Sequence, residues 1–273
     1  MFSEEELERY SRQILVKEIG MRGQKALKEA KVLVVGAGGL GSPALMYLAG
    51  AGVGKIGIVD ADCVDYSNLH RQILYTAEDV GKEKAVRAAE ILKLRNASSE
   101  VVSYPVHLTA ENICDFVEEY DFIIDGVDNF PAKFLINDAC VLKKKPFSHA
   151  GVIQLHGQLM TYVPGKGPCY RCIFEEIPGA GVAPNCSVAG VAGPVVGVIG
   201  SLQALEAVKY FTGAGELLTG KLLTVDGLTM KMRAVHFKQR RSCPVCGEKK
   251  TITEISNENG RYEEGNSCCS YTH

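Results

Sequence analysis

The strongest constraint on the fold lies between Lys31 and Asp60, KVLVVGAGGLGSPALMYLAGAGVGKIGIVD. Val32–Val35 is a short apolar run that reads as a buried strand. Gly36, Gly38 and Gly41 follow with G-x-G-x-x-G spacing, with Gly39 in the same turn, and Ser42–Leu48 continues as an amphipathic helix. A second β-branched run, Ile56–Val59, ends in Asp60. Strand, tight turn, helix and strand in this order make a nucleotide-binding unit. Glycines let backbone N–H groups approach a phosphate, the helix N-terminus adds positive potential, and an acid at the tip of the second strand can accept from ribose hydroxyls. The pattern implies a nucleotide without saying which one, or what is done to it.

The chain has 273 residues, 46% of them hydrophobic, which suits one large α/β domain or one domain with an appended piece. A net charge of −2 gives the whole chain no electrostatic footprint for nucleic acid or an anionic membrane surface. The N-terminus, MFSEEELERY, is acidic and polar and does not read as a signal peptide. Ser187–Leu205 is uncharged and approaches the ~18 residues of a membrane span, but Pro194 and its glycines favour a buried loop and helix. The expected compartment is therefore the cytoplasm. There, ten cysteines argue for metal binding or catalysis over disulfides.

Ser3-x-x-Glu6 is a capping box that opens a short helix carrying RYSRQIL, Arg9–Leu15, and a second helix covers Met21–Glu29. Residues 1–30 thus form a helical arm ahead of the first strand, of the kind that packs on a neighbour or a partner subunit. In isolation, Arg12 on this arm reads as a solvated surface residue. After Asp60 the chain is long and polar, ADCVDYSNLHRQILYTAEDVGKEKA, and brings Asp62, Ser67, Asn68, Arg71 and Gln72 ahead of Lys82 and Lys84. A long ordered loop beside a nucleotide unit is often functional. Lysine in the first turn of the following helix opposes the helix dipole and suggests an anionic partner such as polyphosphate.

Glu100–Val106 reads as a strand, Thr109 as the cap of a helix over Ala110–Glu118, and Tyr120–Asp125 as a further apolar strand. Asp128 and Asn129 then lie just past a strand C-terminus, where open α/β sheets bind ligands. Asp128 can hold Mg²⁺ against phosphates, or cap the helix Pro131–Leu142. From Pro146 the βα repeat stops. Pro146–Val152 is a strand, Gln154–Val163 alternates, and apolar alternation around Asp226-Gly227 signals a hairpin, with a helix over roughly 194–211 between them. The expected fold is α/β: a Rossmann-like nucleotide-binding sheet that continues into an antiparallel section. The expected organisation is one domain over 1–249, with a nucleotide-binding half at 31–150, a second half at 151–249, and a polar, flexible tail over 250–273.

Cys169-Tyr-Arg-Cys172 and Cys243-Pro-Val-Cys246 are two C-x-x-C knuckles too far apart for an autonomous zinc finger. Together they suit a clip in which four thiolates close a structural zinc site, with a redox dithiol as the competing use. Cys186 stands alone in a Gly/Pro/Ala-rich segment, Ile177–Pro194, and is either a nucleophile on a mobile loop or an incidental small residue. Cys63, Cys114 and Cys140 read as core. Cys268 and Cys269 are vicinal in the tail.

Taken together, RYSRQIL, GAGGLGS, VDADCVDYSNLHRQ, GKEKA, DGVDNF, both C-x-x-C pairs and GVIGSLQALEAVK resemble the ThiF/MoeB/HesA family of sulfur-carrier adenylyltransferases, from about Arg9 to Cys246. The resemblance implies an enzyme that uses ATP and Mg²⁺ to adenylate the C-terminal glycine carboxylate of a small β-grasp sulfur carrier ending in Gly-Gly. It implies that Gly36, Gly38, Gly39 and Gly41 approach the nucleotide and that Asp60 binds the ribose. Asp62, Ser67, Asn68, Gln72 and Asn129 would complete the pocket, Arg71 and Lys84 would neutralise the triphosphate, and Asp128 would orient Mg²⁺. Arg12 would cross to the partner subunit's ATP in a homodimer, and the second half of the domain would bind the carrier. Cys186 matches a loop cysteine that links covalently to the carrier in the thiazole branch, which the surrounding NCSVAGVAGPVVGV favours over the molybdopterin branch. With no rhodanese-like domain after the second knuckle, sulfur is expected from a separate donor such as a cysteine desulfurase.

Two other classes suit parts of the sequence. An NAD-dependent oxidoreductase would share the glycine motif and Asp60. A non-catalytic relative would bind a carrier or tRNA without chemistry. The cations aimed at polyphosphate, together with Asp128, argue against both.

Overall fold

The computed structural model describes residues 2–178, 189–256 and 262. The N-terminal arm is two helices, α1 (Glu4–Ile14) and α2 (Gly20–Glu29). Ser3 and Glu6 form the reciprocal cap expected from their spacing. The arm docks on its own chain. Lys28 pairs with Glu6 at 2.7 Å, and Gln24, fully buried, donates to Ala51 O at 2.9 Å.

Strand β1 (Lys31–Val35), helix α3 (Gly41–Ala51) and β2 (Lys55–Val59) form the nucleotide unit. Helix α4 (Lys84–Arg95) leads to β3 (Glu100–Tyr104), α5 (Ile113–Glu119) to β4 (Phe122–Asp125), and α6 (Phe130–Leu142) to β5 (Phe147–Ile153). Strand β6 (His156–Tyr162), the long helix α7 (Gly193–Thr212), β7 (Lys221–Asp226) and β8 (Lys231–His236) complete the chain of described elements. All eight strands join one sheet in the order β3-β2-β1-β4-β5-β6-β7-β8. Pairing is parallel from β3 to β5 and antiparallel from β5 to β8. The change of pattern after residue 146 is thus a change of strand direction within a single sheet.

Two apolar layers sandwich the parallel part. On one face α3, α4 and α7 bury Leu45, Leu48, Leu92 and Ala204 against Val32, Val34, Ile56 and Ile58. On the other, α5 and α6 bury Val117, Phe134 and Ile136 against Leu33 and Ile123, together with Cys169 and Cys243. The alternation of β1 between these layers follows from the two-residue period of a strand. The uncharged N-terminal half of α7 is accounted for by a third cluster, in which Val196 and Ile199 pack on Ala150, Leu159 and Val225. No helix among the described residues is long and apolar enough to cross a membrane.

One local expectation is corrected. Helix α5 begins at Ile113, because Asn112 accepts from the Thr109 N–H and donates to His107 O, which holds residues 109–112 as a turn. The hairpin expected around Asp226-Gly227 is present and turns over four residues, with Asp226 accepting from Leu228 N and Thr229 Oγ1 and Met230 at φ 55°.

Candidate active site

The strand order reverses between β1 and β4, and their C-terminal ends open a crevice there. The glycine turn lies against the loop after β4, backbone on backbone. A Cβ on Gly41 would stand 1.9 Å from Gly36 O, and one on Gly36, at φ +91°, would stand 2.8 Å from Gly126 O. Of the four glycines, Gly36, Gly38 and Gly39 line the crevice, and Gly41 closes the turn behind them.

The crevice is a cavity of about 930 Å³ that runs from this turn across the face of the antiparallel section. It brings together Asp60, Asp62, Arg71, Gln72, Lys84, Asp128 and Asn129 from four separate stretches of chain. Asp60 accepts from Ala37 N at 2.7 Å and Asp62 N at 2.9 Å, which ties it to the glycine turn. Burial pushes its carboxyl above the usual range against the opposing pull of Lys84. Lys84 is itself buried and lies 3.0 Å from Asp62 Oδ2. The anion that offsets this lysine at a helix N-terminus is therefore partly supplied by the protein. Arg71 donates to Ser67 O at 3.2 Å, and Gln72 Oε1 is buried with no hydrogen-bond partner among the described residues. An orphaned acceptor on a cavity wall is a place for a ligand donor.

Asp128 is exposed to the cavity and makes no ion pair among the described residues, whereas the cap of α6 is Asn129, which accepts from Ala132 N at 2.9 Å. The capping role open to Asp128 in the sequence thus falls to its neighbour, and the Asp128 carboxylate is left to the cavity. A carboxylate in a cavity also lined by Arg71 and Lys84 fits a Mg²⁺ that is otherwise held by substrate phosphates.

Ser67 and Asn68 do not line the cavity: Ser67 is exposed and donates to Asp65 Oδ1, and Asn68 donates to Ser67 Oγ. Arg12 is exposed on α1 and does not line its own chain's cavity. Cys186, Cys268 and Cys269 lie outside the described residues. Cys140 is buried as read, while Cys63 and Cys114 are half-buried.

The cavity also contains residues that the sequence did not single out. Lys133, Gln158, Tyr170, Lys231, Arg233 and Tyr262 all line it. Arg233 and Lys231 make its far end basic. A charged residue in the apolar first turns of a helix, as Lys133 is, was the available signal.

Cys169, Cys172, Cys243 and Cys246 converge with all four sulfurs within 4.8 Å of one another. The Sγ separations of 3.6 Å (Cys169–Cys243) and 3.4 Å (Cys172–Cys246) approach the roughly 3.8 Å that a tetrahedron with ~2.3 Å Zn–S bonds requires. Arg240 N–H points at Cys172 Sγ at 3.5 Å, as a donor to a thiolate would. The donor set and spacing fit a closed zinc site. The knuckle also braces the cavity wall. Tyr170 N donates to Asn137 Oδ1 at 2.8 Å, Arg171 forms a two-pronged pair with Asp138 of α6 at 2.7 and 2.8 Å, and Tyr262 Oη donates to the same carboxylate.

The family model described as "ThiF family" matches residues 10–245. The chain is 46% identical over 259 residues to the Sulfur carrier protein adenylyltransferase of Thermus thermophilus, covering 93% of this chain and 96% of that one. It is 45% identical over 251 residues to Adenylyltransferase and sulfurtransferase MOCS3 of Aedes aegypti, covering 92% of this chain but 57% of the longer relative. Among solved structures it is similar to E. coli MccB. The match to the complex with MccA-N7isoASN has a TM-score of 0.79 at 27% identity, covering 88% of this chain and 74% of that one. The match to MccB with ATP has a TM-score of 0.77 at 27% identity, covering 88% and 73%.

Proposed function

The chain belongs to the ThiF family and is an adenylyltransferase like its named relatives, and from that premise we propose that it uses ATP to activate the C-terminal glycine carboxylate of a small β-grasp sulfur carrier ending in Gly-Gly. The observation that carries this reading is the joint presence, in one cavity, of the glycine turn, Arg71, Lys84 and the Asp128 carboxylate, which makes no ion pair among the described residues. In this reading a carrier carboxylate oxygen attacks the α-phosphorus of ATP. The bond from that phosphorus to the α,β-bridging oxygen breaks, and pyrophosphate leaves as the acyl-adenylate forms.

Arg71 and Lys84 are suited to the charge that develops on the departing oxygen, because they are held in place before it appears. Asp60 would take the ribose hydroxyls and Gln72 Oε1 a ligand donor. Asp128 and Asn129 would sit at the metal-bearing phosphates, and Mg²⁺ when bound would neutralise them. The basic far end of the cavity, Lys231 and Arg233, would receive the carrier's tail. Arg12, exposed and away from its own cavity, would reach the ATP of a second copy in a homodimer. The Cys169–Cys246 cluster would hold zinc as a structural clip. Cys186 would link to the carrier during sulfur transfer in the thiazole branch, with sulfur arriving from a separate donor of the cysteine desulfurase kind.

The test is mass spectrometry of candidate carriers incubated with the protein, ATP and Mg²⁺. An adenylate on a Gly-Gly terminus is expected. Its absence with every carrier, together with calorimetric binding of NAD in place of ATP, would overturn the reading. Cys186→Ser is expected to leave adenylation intact and to stop thiocarboxylate formation. Unchanged thiocarboxylate yield would remove the thiol from the pathway.

A further inference from the structure

Behind Asp128 lies a buried polar hub that neither the glycine motif nor the phosphate-facing cations explain. Asp125, the last residue of β4, is 1% exposed. Its Oδ1 accepts from Val127 N at 3.2 Å, which closes the turn that delivers Asp128 to the cavity. Lys133 Nζ straddles both carboxylate oxygens at 3.2 and 3.3 Å and donates to Ala150 O at 2.6 Å. His149 Nδ1 lies 2.6 Å from Oδ2. Burial and the nearby Lys133 cation lower the His149 pKa, so the imidazole is neutral and its Nδ1–H donates to the carboxylate. Burial pushes the Asp125 carboxyl up, but Lys133 and His149 outweigh it and keep it ionised. Gln203 of α7 donates to the Asp125 carbonyl at 2.8 Å and to Ser148 O at 3.1 Å. One carboxylate thus ties together β4, α6, β5 and the 126–128 turn, and that turn packs on Gly36.

A buried ion pair is weak grounds for stability, since well-packed apolar groups commonly do as well. It is a strong device for fixing direction. We infer that Asp125 is a positioning residue: Lys133 and His149 fix its carboxylate, and the carboxylate fixes the turn that aims Asp128 at the metal-bearing phosphates of the nucleotide. This rests on the reading that Asp128 meets Mg²⁺–ATP, and the experiment separates the two.

ATP binding is measured by calorimetry in Mg²⁺ and in EDTA, alongside thermal melting, for the unaltered protein, Asp128→Ala, Asp125→Asn, and a triple variant carrying Asp125→Leu, Lys133→Met and His149→Phe. The unaltered protein is expected to bind ATP more tightly in Mg²⁺, and Asp128→Ala to erase that gain. Asp125→Asn is expected to cut the gain by about 10-fold or more, the usual cost of an outer-shell partner, while affinity in EDTA stays as it was. The triple variant is expected to melt close to the unaltered protein and still to lack the gain. A full Mg²⁺ gain in Asp125→Asn or in the triple variant would overturn the inference while leaving Asp128 in place. So would a triple variant that does not fold, because the hub would then serve stability alone. A full gain in Asp128→Ala would overturn the reading of Asp128 itself, and the inference with it.

Discussion

Asp79 shows how a single side chain orders the loop that carries Arg71 and leads to Lys84. Its carboxylate accepts from Thr76 N at 2.9 Å and lies 3.1 Å from Lys82 and 2.6 Å from Arg87. Burial pushes its pKa up, but the Thr76 amide and the two cations outweigh that and hold it at about 2. The folded chain therefore takes up this proton less readily than the unfolded chain, whose aspartates titrate near 3.9. The stabilisation is complete above about pH 4 and is lost as pH falls toward 2. Asp79→Asn is expected to lower the melting temperature at pH 7 and to flatten the decline between pH 4 and pH 2, as read by calorimetric melts across that range. An unchanged acid limb would remove Asp79 from the account.

At the scale of elements, α6 links most of the site. Its cap, Asn129, faces the cavity. Lys133 enters the hub, and Asn137 and Asp138 grip the cysteine knuckle. Asn129→Ala is expected to cost about 1 kcal/mol of stability, the usual loss of a side-chain cap, and to appear as a drop in the denaturant midpoint with an unchanged slope. A midpoint equal to that of the unaltered protein would mean that water replaces the cap without cost. Element types along the chain were legible because period and punctuation agree locally, as in the capping box at Ser3 and the glycine turn after β1. The hub was not legible. Asp125 and His149 become neighbours only through the β4–β5 register, which pairs their Cα atoms across a parallel ladder. In sequence, Lys133 and His149 are polar residues in largely apolar stretches, and nothing local says that they share one carboxylate. The same holds for Tyr170 and Arg171, which read as filler between two cysteines until α6 is folded against them.

For the whole molecule, one sheet does two jobs. Its parallel end builds a crevice at the reversal of strand order, and its antiparallel end extends the floor of that crevice toward Lys231 and Arg233. The four cysteines bring the loop after β6 to the segment after β8, so a metal bound there would close a long stretch of chain. Metal affinity at such a site is folding free energy. Chelation, or Cys246→Ser, is expected to lower the melting temperature by many degrees with release of one zinc per chain. Unaltered melting after complete metal removal would contradict a structural role. The central claim concerns the crevice itself and is tested most directly by exchange of labelled pyrophosphate into ATP, with and without a carrier ending in Gly-Gly. The account predicts exchange that requires the carrier and is lost in Asp128→Ala. Exchange without any carrier, or undiminished exchange in that variant, would contradict it.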